Sequence, residues 1–220
     1  MNPKPLPRAY QEGTVNFYGF DFGVNSSTLI PRPETEQLVE RTVVLVKQYL
    51  PSRLRILDIG TGSGIIAITL KKLLPDSEVE ASDISPEALK VARQNANNNE
   101  VKITFRRGSL FQPVSGQFDL IIANLPYVPA ARWRFLESQV RDFEPKGAIV
   151  AGRDGLKLLK QFCQTVGAYL NQPSLVALEI DDSQGVLVQN LLQIALPDHR
   201  VYFAPDLAHK VRFVFAIPRV

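Results

Sequence analysis

One cysteine in 220 residues, Cys163, excludes an internal disulfide. Two histidines, His199 and His209, cannot join it in a Cys/His zinc site. Apolar runs such as Ile65 to Leu70 are far shorter than the roughly 20 residues a membrane-spanning helix needs. The basic start, MNPKPLPR, is followed by no apolar stretch and so lacks the pattern of a signal peptide. Charge of one sign is also scarce: 25 Lys plus Arg stand against 22 Asp plus Glu, and a net +3 is too weak by itself to mark a nucleic-acid surface. What is present is ordinary for a folded chain. The 45% hydrophobic and 21% charged fractions exclude wholesale disorder. A chain of this length hides roughly 70% of its unfolded surface. These features predict a soluble, cytoplasmic, single-domain protein with no structural metal.

The chain opens on an irregular leader over residues 1–13, marked by Pro3, Pro5 and Pro7. Aromatic and β-branched residues from Val15 to Val24, followed by Ser26 to Ile30, predict a β-hairpin. Pro33 then suits the first turn of a helix, with Glu34 and Glu36 where the dipole favours acids. Leu38, Val39, Thr42, Val43 and Val46 carry its helical spacing to about Tyr49. From there strands alternate with helices. Strands are predicted at 54–59, 78–84, 101–106, 118–123 and 175–180. Helices are predicted at 64–74, from Ser85-Pro86 to the 95–99 region, at 154–170 and at 183–195. A hairpin pair at 201–204 and 211–217 closes the chain. The alternation predicts a mostly parallel sheet covered on both faces. Residues 1–50 are expected to pack on the unit formed by residues 51–220.

Asp58-Ile59-Gly60-Thr61-Gly62-Ser63-Gly64 joins the first strand of that series to its helix. Its G-x-G-x-G spacing differs from the G-x-G-x-x-G of dinucleotide folds, and no Lys-Ser/Thr follows as in a phosphate-binding loop. Glycines let the chain turn tightly and let a ligand approach the backbone. A carboxylate at Asp58 would repel a pyrophosphate but suits a ligand bearing an ammonium group. Asp83, at the end of the second strand, is placed to accept two ribose hydroxyls. A positively charged aminoacyl nucleoside fits both acids, which points to S-adenosylmethionine. The competing reading is a tight structural turn with a surface acid.

Asn124-Leu125-Pro126-Tyr127 follows the fourth strand, where a parallel sheet opens into a ligand crevice. A planar amide or aromatic amine is a poor nucleophile because its lone pair is delocalised. The Asn124 side-chain oxygen and the Leu125 carbonyl can accept its two N–H groups and fix its direction. Pro126 stiffens the turn, and Tyr127 offers a flat face. The competing reading is an Asn-x-Pro turn with a packed tyrosine.

Together these residues resemble the HemK/PrmC family of protein-(glutamine-N5) methyltransferases, which act on the Gly-Gly-Gln loop of peptide chain release factors. The resemblance runs from about Tyr10 to Pro218. It includes Phe17-Tyr18-Gly19-Phe20, the octapeptide Leu29-Ile30-Pro31-Arg32-Pro33-Glu34-Thr35-Glu36, Phe143-Glu144-Pro145, Asp154-Gly155-Leu156, Leu178-Glu179-Ile180 with Gln184, and Asp206-Leu207-Ala208. It implies a Rossmann-like class I methyltransferase fold, with seven mostly parallel strands and an antiparallel last one. It implies S-adenosylmethionine held by Asp58, Gly60, Thr61, Gly62, Ser63, Gly64, Asp83, Ile84, Ser109, Leu110 and Asn124. The transfer would be performed by Asn124, Leu125, Pro126 and Tyr127 on a protein substrate, without metal or membrane.

Three departures accompany the resemblance. Leu125 stands where the family has proline, and only the carbonyl there is needed for the chemistry. Ser109, in Gly108-Ser109-Leu110-Phe111, replaces an acid beside the adenine. The family's small helical N-terminal domain is expected to be missing, because the chain starts almost where the catalytic domain does. Rival readings are an adenine-N6 methyltransferase on DNA or RNA, a ribosomal-protein glutamine methyltransferase, and a non-catalytic relative. Arg132-Trp133-Arg134 is expected on a loop over the substrate entrance, and Glu179 either supports the site or is a surface acid. Cys163 reads as core, and the two histidines carry no assigned chemistry.

Overall fold

The computed structural model describes residues 5–219. A short helix, α1 (Arg8–Glu12), precedes a hairpin of β1 (Thr14–Phe17) and β2 (Phe20–Gly23). Then come α2 (Pro33–Tyr49), β3 (Arg55–Ile59), α3 (Ile65–Leu73), β4 (Glu78–Asp83), α4 (Pro86–Asn98), β5 (Thr104–Arg107) and β6 (Phe118–Asn124). After α5 (Ser138–Phe143) and α6 (Lys157–Thr165), the chain forms β7 (Leu170–Glu179), α7 (Gly185–Ala195), β8 (His199–Pro205) and β9 (Val211–Pro218). Seven strands form one sheet in the order β5-β4-β3-β6-β7-β9-β8. The pairs from β5 through β7 are parallel, whereas β9 runs antiparallel to both β7 and β8.

Period-two alternation sorts the sheet's side chains between two cores. On one face Ile56, Leu120, Ile122, Leu175 and Ala177 pack with α2, α3 and the hairpin residues Phe17 and Phe22. On the other Leu57, Ile59, Ile121, Ala123, Val176 and Leu178 pack with α6 and α7. Counting on by two from Ile122 and Ala177 puts Asn124 and Glu179 on the α2 face. The register pairs those two residues directly. Asp58, two residues after Ile56, faces the same side.

Helix α2 begins and ends where its sequence predicts. Pro33 occupies its first turn with Glu34 and Glu36, and Thr35, Leu38, Val39, Thr42, Val43 and Val46 form its buried stripe. Ser85 caps α4, its hydroxyl accepting from the Ala88 N–H at 3.1 Å. Asn95 of α4 is 1% exposed and ties the hairpin to the glycine loop. It accepts from the Gly23 N–H at 2.7 Å and donates to the carbonyls of Gly23 at 2.9 Å and Ser63 at 2.8 Å.

Several expectations need correction. The leader contains α1, and its residues 1–4 lie outside the described part. The hairpin closes within Thr14–Gly23 around Tyr18-Gly19, so Ser26 to Ile30 is a turn and loop. Strand β5 starts at Thr104, because Glu100 turns the chain with a φ of 56°. The helix expected over 154–170 is α6 followed by a 3-10 turn at Val166–Tyr169, since Gly152 and Gly155 adopt φ of 76° just before it. Strand β7 starts five residues earlier than predicted. Two 3-10 turns, Ala130–Phe135 and Lys146–Ala148, flank α5 over a stretch where no element was foreseen.

Burial on α2 is steep enough to separate two neighbouring positions. Leu38 is 0% exposed and Val44 is 59% exposed. Leu38→Ala should lower the free energy of unfolding in urea by about 2–5 kcal/mol, and Val44→Ala should change it by no more than about 0.5 kcal/mol.

Candidate active site

The glycine loop is anchored from both sides. The N–H groups of Gly60 and Thr61 donate to the Ser82 carbonyl at 2.8 and 3.0 Å, which ties the loop to β4. Beneath it the Thr61 hydroxyl donates to Asp58 Oδ2 at 2.6 Å, and the Ala67 N–H donates to the same oxygen at 3.2 Å. Asp58 is 0% exposed, and burial pushes its carboxyl up to about 7. Its Oδ1 has no hydrogen-bond partner. Gly62, at a φ of 56°, has open space where a Cβ would stand. Gly64, at 84°, has none: a Cβ there would lie 3.0 Å from Ile68 Cδ1 and 3.1 Å from Ala92 Cβ. Asp83 accepts from the Gly62 N–H and the Ser85 N–H, both at 2.9 Å. Burial nevertheless raises its pKa against these two bonds.

A cavity of about 270 Å³ opens over this loop. Gly60, Thr61, Gly62, Ser63, Asp83, Ile84, Ser109, Leu110 and Asn124, singled out in the sequence, all line it. Asp58 and Gly64 do not. Asp58 lies under the loop and holds its backbone in place, and Gly64 faces α4. Residues not foreseen complete the wall, among them Leu29, Pro31, Arg32, Thr35 and Ala148. The octapeptide that contains four of these signalled its importance without revealing this role.

A second cavity, again about 270 Å³, shares Leu29, Arg32, Asn124, Leu125, Pro126 and Ala148 with the first. Tyr127, Arg132, Asp181 and Arg212 line it further out. The tetrapeptide is therefore the partition between two chambers. The Leu125 side chain is 4% exposed and packs under the glycine loop, 3.1 Å from where a Gly60 Cβ would stand. The backbone beyond it is pinned. The Tyr127 carbonyl accepts from Gln184 Nε2 at 3.0 Å, and a Cβ on Gly155 would come within 2.2 Å of that carbonyl.

A chain of buried polar groups stands behind the partition. Asn124 Nδ2 donates to Thr35 Oγ1 at 3.2 Å, and Thr35 donates to Glu179 Oε2 at 2.8 Å. The Tyr127 hydroxyl reaches Glu179 Oε1 at 3.5 Å. Glu179 is 1% exposed, and burial pushes its carboxyl up to about 7. Burial and the Glu179 charge raise the Tyr127 phenol well above its usual range. Between the two readings left open for Glu179, its burial and its bonds to Thr35 and Tyr127 exclude a surface acid.

The roof is held from the N-terminal side. Arg32 Nη2 donates to Glu144 Oε1 at 2.5 Å, and the Ile30 N–H donates to Glu144 Oε2 at 3.2 Å. Two stretches singled out separately in the sequence thus meet at Arg32, which lines both cavities. Arg132 pairs with Asp181 at 2.8 Å, while Lys146 lies 5.4 Å over the Trp133 ring. Cys163 is buried with its thiol pushed up to about 12 by burial, and His199 is buried against Ser174. Among the described residues no helix is long and apolar enough to cross a membrane, and no group of three or more His, Cys, Asp and Glu side chains is arranged to hold a metal ion.

Residues 36–159 match the family described as "Methyltransferase small domain". A release factor glutamine methyltransferase of Bacillus anthracis is 39% identical over 215 residues, covering 96% of this chain and 76% of its own. The enzyme of that name from Enterococcus faecalis is 40% identical over 211 residues, covering 96% and 75%. The one from Bacillus subtilis is 35% identical over 222 residues, covering 99% and 77%. Among solved structures, a ribosomal protein L11 methylase of Lactobacillus delbrueckii subsp. bulgaricus superposes with a TM-score of 0.59 at 23% identity, over 86% of this chain and 81% of that one. A 16S rRNA N2 G1207 methyltransferase of Thermus thermophilus, in complex with AdoMet and guanosine, gives 0.64 at 16%, over 94% and 50%. These two share only the class I methyltransferase fold. The sequence relatives share far more, with a third or more of their residues identical along nearly the whole chain, and on that ground the chain belongs to the release factor glutamine methyltransferase family.

Proposed function

We propose that this protein transfers the methyl group of S-adenosylmethionine to the side-chain amide nitrogen of a glutamine in a peptide chain release factor. The observation that carries the reading is the pair of cavities meeting at Asn124, Leu125 and Pro126. One chamber suits the methyl donor and the other a side chain entering from outside, with reactive atoms meeting at their common wall.

The residues of the first chamber fit the donor. Gly62 leaves room at the backbone for a close-packed ligand. Asp83 has acceptor capacity beyond its two backbone bonds for a pair of ribose hydroxyls. Ile84 is 68% exposed and Leu110 lines the same wall, which suits a flat heterocycle. Ser109 supplies one hydroxyl in place of an acid. Asp58 lies beneath the loop with its Oδ1 unpartnered, and in its ionised form it favours a cationic ligand above. When bound, S-adenosylmethionine supplies a methyl group made electrophilic by its sulfonium centre.

The chain's own part in the reaction is orientation. The Asn124 oxygen and the Leu125 carbonyl accept the two N–H groups of the glutamine amide and aim the nitrogen at the first chamber. Both acceptors grow stronger partners as positive charge develops on that nitrogen. Tyr127 packs against the amide plane. The proton becomes acidic as the new N–C bond forms, so it can leave to water without a dedicated base.

The identity to enzymes named for release factors favours this substrate over an adenine or a ribosomal-protein glutamine. The partly buried acceptors favour a working enzyme over a non-catalytic relative.

Asn124→Ala should lower turnover at saturating cofactor by about a hundredfold, read as methylation of the Gly-Gly-Gln glutamine by mass spectrometry. Near-normal turnover would remove Asn124 from the mechanism. Asp83→Ala should weaken S-adenosylmethionine binding about tenfold to a hundredfold in calorimetry, the worth of a pair of charge-assisted hydrogen bonds. Unchanged affinity would move the ribose elsewhere. Methyl transfer to RNA or DNA but not to release factor would overturn the substrate.

A further inference from the structure

An asparagine amide is nearly symmetric in shape but opposite in chemistry at its two ends. If Asn124 offered its NH2 to the glutamine amide, two donors would face each other and the substrate would be repelled. Something must therefore decide which end of Asn124 points at the substrate, and hydrogen bonding alone can do so.

We infer that Glu179 is a positioning residue that, through the Thr35 hydroxyl, dictates which edge of the Asn124 amide meets the substrate. The inference rests on the functional reading above. An ionised carboxylate only accepts hydrogen bonds. Thr35 must therefore spend its one hydrogen on Glu179 Oε2, at 2.8 Å. The Thr35 oxygen can then only accept, so the Asn124 group 3.2 Å away has to be Nδ2. Nδ2 is thereby committed, and Oδ1 is the end left for the glutamine. Asn124 also hydrogen-bonds Glu179 directly, where only Nδ2 can donate to the carboxylate, so both routes commit the same end of the amide. Glu179 also holds the tyrosine of the same tetrapeptide, with the Tyr127 hydroxyl at 3.5 Å from Oε1.

Protonating Glu179 would undo this. A carboxylic acid can donate to Thr35, which frees the Thr35 hydrogen to turn toward Asn124 and draw Oδ1 inward. Nδ2 would then face the substrate. The groups around Glu179 work in both directions. Arg212 on β9 favours the carboxylate, as do Thr35 and Asn124, while Glu34 on α2 opposes it. Tyr127 is neutral at working pH, and Asp181 and Arg32 act on Tyr127 with opposite sign. With the carboxyl pushed up by burial to about 7, the switch lies near neutral pH.

The test compares Thr35→Val, Thr35→Ser and Glu179→Gln with the unaltered full chain, using purified release factor, with thermal melting and S-adenosylmethionine calorimetry to establish that each variant is folded and loaded. Thr35→Val should lower kcat about tenfold to a hundredfold, measured at an S-adenosylmethionine concentration that the calorimetry shows to be saturating for each variant. Thr35→Ser, which keeps the hydroxyl, should recover most of the loss. In the unaltered chain kcat should fall as pH drops through about 7, and Glu179→Gln should flatten that limb. Full turnover by a folded Thr35→Val, no recovery by a folded Thr35→Ser, or an unchanged acid limb in Glu179→Gln would each overturn the inference while leaving glutamine methylation standing. No glutamine methylation by the unaltered chain would overturn the functional reading and this inference together.

Discussion

Placing a carboxylate in the interior is the constraint from which the rest of this site follows. Glu179 ends β7 directly beside Asn124 at the end of β6, and both face α2. A buried ionised group must be met by donors or it destabilises the fold. Thr35 on α2 and Tyr127 beyond β6 provide them. The sheet register, the position of α2 and the tetrapeptide's geometry are thus not independent. A slip of one residue in β6 or β7 would turn Asn124 or Glu179 to the other face and strand the carboxylate in the α6–α7 core.

The N-terminal segment has a double attachment that explains why it is part of the site rather than a preface to it. Asn95 links the hairpin to the glycine loop, and Glu144 links Ile30 and Arg32 to the stretch after α5. The first joint reaches Ser63 and the second Arg32, and both of these residues line the first cavity. An Arg–carboxylate pair with its acid 2% exposed at the side chain is more constraining than a surface pair, because releasing the arginine would leave the buried carboxylate uncompensated.

Much of this was legible beforehand, for identifiable reasons. Helix α2 carried proline, acids and apolar spacing that agreed with one another, and its ends were read to the residue. The glycine loop, Asp83 and Asn124 to Tyr127 stood at strand ends, where parallel sheets expose ligand crevices. What escaped was long-range or local in a way that periodicity does not register. The depth of Asp58 beneath the loop escaped because position along a strand says nothing about depth. Thr35 looked like one letter of a signature, since its partners lie 89 and 144 residues away. The stretch from Ala130 to Ala148 has short, irregular turns with no sustained period, and the glycines at 152 and 155 break what reads as a longer helix.

Leu125 has a consequence of its own. Its side chain supports the glycine loop from below, while its backbone forms part of the wall shared by the two chambers. A ligand that displaced Leu125 in one chamber would therefore displace a residue that also lines the other. Thermodynamic linkage makes such an effect mutual: whatever free energy a filled first chamber contributes to occupancy of the second is returned in equal measure. Ligands of the two chambers would in that sense act on each other's affinity through the residues that line both.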